Sequence, residues 1–111
     1  MSSGKALTKY IRISPRKARL AADLIRGLPV AQATVQLAHC NMRAGKILQG
    51  TLDSAVANAE TQSELRREDL VVAEVRVDCG PVLKRAKPKN KGGRHPIMKR
   101  TSHFVVVVKE A

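Results

Sequence analysis

Eight lysine and arginine residues lie within residues 80–100 of this 111-residue chain, with no acidic residue among them. The acid-free stretch continues to Val108 and contains three prolines and the pair Gly92-Gly93. Such a segment cannot neutralise its charge with its own side chains, so its counter-charge must come from outside. Closely spaced phosphates supply that charge in the geometry that lysine and arginine bind. The sequence therefore indicates binding of a polyanion.

The remaining charge is unevenly distributed along the chain. Residues 1–26 hold seven basic residues and one acidic residue, and residues 27–79 hold five and seven. Residues 80–111 hold nine and one, so the formal net charge of +12 comes from the two ends of the sequence. An excess of this size, with an isoelectric point near 10.6, is typical of proteins that bind nucleic acid.

Few side chains could act as metal ligands or catalysts. His39, His95 and His103 are far apart in the sequence, and none lies at metal-ligand spacing from a cysteine or acidic residue. Cys40 and Cys79 are too few and too distant for a disulfide scaffold or a zinc site. His39 and Cys40 are adjacent, but neighbours on a helix point about 100° apart, which disfavours a catalytic dyad. We expect no enzyme activity, metal or cofactor.

The length and composition predict a single domain. Hydrophobic residues make up 43% of the chain, and Tyr10 and Phe104 are its only aromatic residues, so the core must be aliphatic. No apolar run reaches the ~20 residues that span a bilayer, and no signal-peptide stretch follows the first five residues. We expect a cytoplasmic protein without membrane contact. Its domain, residues 1–111, would comprise a globular body (1–79 and 101–111) and an extended β-hairpin (80–100).

The apolar periodicity predicts three helices. Ser14 and Pro15 form a typical helix start, and Gly27 a typical end. The first helix would bury an apolar stripe of Ala18, Ala21, Ala22 and Ile25, widened by Leu20 and Leu24. A second helix would begin at Leu28-Pro29, and a third after a cap at Asn41. The predicted helices cover residues 15–26, 29–38 and 42–60.

Three segments with alternating apolar residues or runs of valine predict strands at residues 7–13, 70–78 and 101–109. In the second, Val71, Ala73, Val75 and Val77 would share one face, opposite Val72, Glu74, Arg76 and Asp78. In the first, Leu7, Ile11 and Ile13 would share one face, opposite Thr8, Tyr10 and Arg12. The predicted fold is α+β, with three helices packed on a small three-stranded antiparallel sheet. A long basic β-hairpin turning near residues 91–94 would protrude by about 30 Å.

Six blocks of the sequence carry a resemblance to a known family. They include Ser14-Pro15-Arg16-Lys17-Ala18-Arg19 and the run Lys99-Arg100-Thr101-Ser102-His103. In family order and spacing, they resemble the bacterial form of the large-subunit ribosomal protein family numbered twenty-two in the universal scheme. The blocks are residues 14–19, 22–27, 54–60, 77–81, 84–85 and 99–103.

This resemblance implies an rRNA-binding protein that supports assembly of the large subunit. Its expected partners are large-subunit rRNA, neighbouring large-subunit ribosomal proteins and the nascent peptide, and outside the ribosome it would be a monomer. The hairpin tip would line the nascent-peptide exit tunnel. The predicted tip residues are Lys89, Asn90, Lys91, Gly92, Gly93 and Arg94. The predicted rRNA-binding residues are Arg12, Arg16, Lys17, Arg19, Lys84, Arg85, Lys87, Lys99, Arg100 and His103.

The sequence leaves one alternative of another class, an architectural DNA-binding protein of the HU type. Such proteins are small and basic, and their proline-bearing β-arms grip the minor groove from a helical base. Here Pro88 and Pro96 flank a glycine-rich tip, which matches that pattern in part. A clamp of this type needs a symmetric pair of arms and therefore a dimer. A small enzyme is a third and much weaker hypothesis.

Overall fold

The computed structural model describes residues 3–88 and 94–110, with the backbone alone for residues 85–88 and 94–97. Its elements follow the order of one strand, three helices and four strands, with a short 3₁₀ turn, Arg67–Asp69, before the second strand. The helices are α1 (Pro15–Asp23), α2 (Val30–Ala38) and α3 (Arg43–Gln62). The strands are β1 (Ser3–Ile11), β2 (Leu70–Cys79), β3 (Leu83–Pro88), β4 (Arg94–Lys99) and β5 (Ser102–Glu110).

The larger sheet has three antiparallel strands in the order β1-β5-β2. The central strand β5 carries Phe104 and the four valines 105–108, which are stiff residues suited to a strand with neighbours on both sides. Helix α3 packs across β1 and β5, and α1 packs on β2, so the apolar core lies between the sheet and the helices. The predicted α+β fold is confirmed.

The helices bury most of the positions that the periodicity predicts. Ala18, Ala21, Ala22 and Ile25 are fully buried, but Leu20 and Leu24, predicted to widen the stripe, are 59% and 41% exposed. At about 100° per residue, Leu20 and Leu24 lie more than about 100° from the middle of the buried stripe, on the side that faces solvent. The chain leaves this region through Gly27, whose φ of 80° is a conformation that glycine adopts readily.

Bulges in both outer strands shift the faces that the sequence predicts. In β1 the register changes between Thr8 and Ile11, so Gly4 and Ala6 face inward while Leu7, predicted to share a face with the buried Ile11, is 47% exposed. In β2 the register changes between Val72 and Glu74. One extra residue inverts the two-residue alternation. A prediction based on strict alternation is therefore correct on only one side of each bulge.

The β2 bulge changes the buried set in the same way. Leu70 and Val72 are buried before it, and Val75 and Val77 after it. The prediction that Val71 and Ala73 share a face with Val75 and Val77 is wrong: Val71 is half-buried and Ala73 is exposed, whereas Val75 and Val77 are buried.

Strands β3 and β4 form a separate two-stranded antiparallel ribbon, with Leu83 opposite Lys99 and Pro88 opposite Arg94. The molecule measures 63 × 25 × 16 Å, and its radius of gyration is 17.0 Å. A compact domain of this length would have a radius of gyration of about 13 Å. The chain is therefore elongated.

Strand β1 and helix α3 approach each other closely at Gly4. A Cβ atom at this position would lie 2.7 Å from the Cβ of Ala59 and closer still to the Ala55 carbonyl oxygen. The Asn58 side chain donates to the Lys5 carbonyl at 2.8 Å beside this contact. The block at residues 54–60 thus provides small residues and one hydrogen bond where the helix crosses the strand.

Replacing Gly4 by alanine should lower the free energy of unfolding by about 1–3 kcal/mol, because the added methyl group overlaps backbone atoms that cannot move aside. Urea denaturation of the purified chain measures this change. Gly50→Ala is the matched control: Gly50 lies within α3, and a Cβ there meets nothing within 4 Å. That variant should gain up to about 1 kcal/mol. Equal losses in the two variants would contradict the close approach.

Candidate nucleic-acid interface

Three clefts surround Ser14, the residue that caps α1, near the point where the ribbon joins the sheet. Their volumes are about 410, 500 and 340 Å³. No acidic side chain lines them, whereas seven exposed basic side chains do. We call these seven residues the basic junction surface. They are Arg12, Arg16, Lys17, Arg19, Arg43, Lys99 and Arg100.

Strand register brings these residues together. Ser102 on β5 lies opposite Ile11 on one side and Cys79 on the other, so three chain segments leave the sheet at one level. The buried Ser102 hydroxyl donates to the Ile13 carbonyl at 2.6 Å. The Thr101 hydroxyl donates to the Pro81 carbonyl at the same distance. These bonds fix the base of the ribbon beside the start of α1.

The first turns of α1 present three of the bases. The Ser14 hydroxyl accepts a hydrogen bond from the Lys17 amide at 3.4 Å, and Pro15 occupies the first helical position. Arg16, Lys17 and Arg19 follow directly. Cations at a helix N-terminus oppose the helix dipole, so helix stability does not explain them. A bound anion would interact favourably both with these cations and with the dipole.

Acidic residues lie elsewhere in the part of the chain that the structure describes. The ion pairs found there join Asp23 to Arg26, Asp53 to Arg67, and Glu74 and Asp78 to Arg76. None of them involves the basic junction surface. A further cleft, lined by Glu68, Asp69 and Glu110, lies at the opposite end of the sheet. The ten residues of β2 span the distance between this cleft and the junction, which is about 30 Å.

Arg76 shows how an exposed base can be neutralised within the protein. Its Nε donates to the Asp78 carboxylate at 3.0 Å, and its Nη1 donates to Glu74 at 3.1 Å. The hydrogen bond and charge of Asp78, followed by those of Glu74, raise the pKa of Arg76 above its usual value. Its charge is therefore satisfied on the surface of β2.

Most of the predicted rRNA-binding residues with described side chains lie on one surface. Six of them, all but Lys84 and His103, belong to the basic junction surface. Lys84 is exposed on β3. The side chains of Arg85 and Lys87 lie outside the described residues, as do the predicted tip residues 89–93 and the side chain of Arg94.

Arg19 also has a role within the fold. Its Nε and Nη2 donate to the Val77 carbonyl at 3.3 and 3.0 Å, and Arg26 donates to the Val75 carbonyl at 2.8 Å. Strand β2 lies at the edge of the sheet. The two guanidinium groups therefore satisfy carbonyls of an edge strand and attach α1 to it.

His103 contacts Tyr10. The Tyr10 backbone N–H donates to His103 Nδ1 at 3.1 Å, and the two rings meet edge to face with their centroids 5.0 Å apart. Tyr10 has a φ of 58° within the β1 bulge, which for a residue other than glycine costs about 1–3 kcal/mol. The residue is 65% exposed. The predicted rRNA ligand His103 is thus placed to position an aromatic residue.

The sequence analysis did not identify Arg43 or Tyr10 as site residues. Arg43 opens α3 within the nearly neutral middle of the sequence, and only the tertiary fold brings it beside Arg12, whose carbonyl accepts from its Nη1 at 3.5 Å. The positive φ of Tyr10 depends on a bulge that has no clear sequence signal.

Among the described residues, no group of three or more histidine, cysteine or acidic side chains could hold a metal ion. The His39 ring lies against the Val35 carbonyl at 3.2 Å, and Cys40 packs against Gly45. No described helix is long and apolar enough to span a bilayer.

Comparison with known proteins gives the family. Residues 6–109 match the family described as ribosomal protein L22p/L17e. The chain is 70% identical over 108 residues to the large ribosomal subunit protein uL22 of Protochlamydia amoebophila, and 97% of each chain is covered. It is 58% identical over 106 residues to the uL22 proteins of Chlamydia abortus and Chlamydia felis, with 96% of each chain covered. The chain belongs to the L22p/L17e family.

Membership in the L22p/L17e family confirms the resemblance that the sequence blocks indicate, in its bacterial form. The chain is a ribosomal protein rather than an enzyme, and the cytoplasmic ribosome is its location. The family match decides against the architectural DNA-binding alternative. All seven residues of the basic junction surface lie within the matched range.

Substitution can separate the two roles of arginine on α1, which are bonding to β2 within the fold and presenting charge on the surface. Arg19→Gln should lower the free energy of unfolding by about 1–2 kcal/mol, because the Val77 carbonyl loses two charged donor groups. Arg16→Gln, three residues earlier and exposed, should change it by less than about 0.5 kcal/mol. Urea denaturation of both variants provides the comparison. An equally stable Arg19→Gln variant would show that its bonds to β2 contribute nothing.

Proposed function

We propose that this chain, a structural constituent of the large ribosomal subunit, binds large-subunit rRNA through the basic junction surface and the adjoining ribbon. The observation that carries the proposal is the convergence of seven exposed bases around the start of α1, where no acidic side chain lines the clefts. The bases come from the N-terminal segment, α1, α3 and the end of β4. Only a folded chain presents them together.

Phosphate contacts provide most of the proposed affinity. Each arginine offers a planar fork of donors that can hold one phosphate at two points. Neutralising several phosphates also releases their condensed counterions, so binding strengthens as the salt concentration falls. Such contacts recognise the shape and path of an RNA backbone rather than its base sequence.

The ribbon extends this interface away from the sheet. Strands β3 and β4 pair only with each other, so tertiary packing within the chain gives them little support. An isolated two-stranded ribbon in water is at best marginally stable. A surrounding shell of rRNA would supply both the packing and the counter-charge that such a basic ribbon needs.

The proposal includes the tip of the hairpin, residues 89–94, as a lining of the nascent-peptide exit tunnel. Its supports are the family resemblance, the 63 Å length of the molecule and the placement of the ribbon beyond the body. Neighbouring ribosomal proteins and the nascent peptide are the further partners proposed, with a monomer outside the ribosome. The division into a body and a hairpin at residues 80–100 belongs to the same proposal.

Removing two bases from different elements of the junction tests the rRNA interface. The double variant Arg43→Gln/Arg100→Gln should bind large-subunit rRNA more weakly in a filter-binding assay. Its plot of log affinity against log salt should lose about 1.5 units of slope, because each lost phosphate contact contributes about 0.7–0.9. The free energy of unfolding should change little, since both side chains are exposed.

The matched control is Arg66→Gln/Lys109→Gln, which removes the same charge from exposed positions outside the clefts of the junction. This variant should keep nearly the whole salt slope. If the two double variants lost affinity and slope equally, binding would depend on net charge alone, and the proposed interface would be refuted.

Deleting residues 89–94 tests the separate role of the tip. Ribosomes carrying the shortened protein should retain it after a wash near 1 M salt, where the Debye length is about 3 Å and exposed ion pairs are screened. Their sensitivity to macrolides, which bind in the tunnel, should change. Loss of the protein in the wash would make the tip an anchor, and retention with unchanged macrolide sensitivity would remove it from the tunnel wall.

A further inference from the structure

Tyr10 is an aromatic residue in an unusual position. The chain has no tryptophan and one phenylalanine, Phe104, which is buried, whereas Tyr10 as a residue is 65% exposed. Its backbone has a φ of 58° at the point where β1 changes register. Folding therefore places the one aromatic ring outside the core on a strained stretch of backbone.

The surroundings hold this ring in place without covering it. His103 accepts the Tyr10 N–H through Nδ1 at 3.1 Å and meets the ring edge to face. The imidazole in turn packs against Gly80, where a Cβ would lie 3.1 Å from its Cε1 atom. A Cβ there would lie closer still to the Thr101 Oγ1 atom, so a side chain at residue 80 would clash with Thr101 and crowd His103. Gly80 thus contacts His103, and His103 contacts Tyr10, whose side chain is exposed to solvent.

The position of the ring connects it to the basic junction surface. Lys9 precedes Tyr10 and is exposed, and Arg12, which lines two of the three clefts, lies two residues beyond it. Two residues of chain span at most about 7 Å between their Cα atoms. A strand of RNA whose phosphates lie on Arg12 and its neighbours therefore passes within reach of the ring.

We infer that Tyr10 is a stacking site for an unpaired base of rRNA whose backbone lies on the basic junction surface. The inference rests on the proposed function and adds base contact to an interface otherwise made of phosphate contacts. Stacking on an aromatic ring accepts any base and needs an exposed ring of fixed orientation. His103 serves as a positioning residue, because it holds the backbone of Tyr10. The surrounding positive charge favours RNA over an apolar protein partner.

The test measures binding of large-subunit rRNA by Tyr10→Phe, Tyr10→Leu and Tyr10→Asn in a filter-binding assay at several salt concentrations. Tyr10→Phe should bind within about twofold of the parent, because the ring is retained. The other two should bind about tenfold more weakly. Asparagine adopts positive φ readily, so Tyr10→Asn keeps the test valid if the leucine variant folds poorly. The salt slope should remain that of the parent, since no phosphate contact is lost.

Leu7→Ala is the matched control, because Leu7 is an exposed apolar residue of the same strand before the bulge, and it should bind like the parent. Ultraviolet irradiation of the parent complex, followed by mass spectrometry, should find a nucleotide attached to Tyr10. Parental affinity in both non-aromatic variants, or a reduced salt slope, would overturn the stacking site while leaving the rRNA interface in place. An Arg43→Gln/Arg100→Gln variant that binds like the parent would instead overturn the proposed function.

Discussion

Ser102 is the residue on which the arrangement of this molecule depends. It stands between Ile11 and Cys79 in the central strand, and its buried hydroxyl donates to the Ile13 carbonyl. At this level β1 leaves the sheet toward α1, β2 leaves toward the ribbon, and β4 returns. Two basic segments that are distant in sequence therefore become neighbours. The pairing of one strand, driven by burial of its valines, thus creates the charged surface.

The basic side chains of the protein include two groups: those that bond to oxygen atoms of the chain itself, and others that line clefts without an acidic neighbour. Arg19, Arg26 and Arg76 bond to carbonyl or carboxylate oxygens of the chain itself, and through the first two the edge of β2 is held against α1. The remaining bases around Ser14 have no acidic side chain among the residues that line their clefts. Net charge alone does not distinguish these groups. Identifying a binding surface therefore requires knowing which guanidinium groups the fold already uses.

The sequence predicts the parts of this structure that depend on local chemistry. Ser14-Pro15 starts a helix where predicted, Ala18 and Ile25 are buried, and the valines of β5 form a strand. Strand faces fail where a bulge inverts the alternation, as at Leu7 in β1. A bulge relieves misfit between neighbouring strands, which is a property of their packing rather than of either sequence. Arg43 and Tyr10 were missed because their surroundings exist only in the folded chain.

At the far end of the sheet, Glu68, Asp69 and Glu110 lie next to Arg66, Arg67 and Lys109, so that end has little net charge, whereas the junction end is strongly basic. This asymmetry gives the molecule an electric dipole along its strands. In the field of a polyanion, such a dipole experiences a torque as well as an attraction. Diffusing molecules would turn their basic end toward the polyanion before first contact. At physiological ionic strength this steering operates over about 8 Å. The uneven distribution of charge thus favours encounters in one orientation.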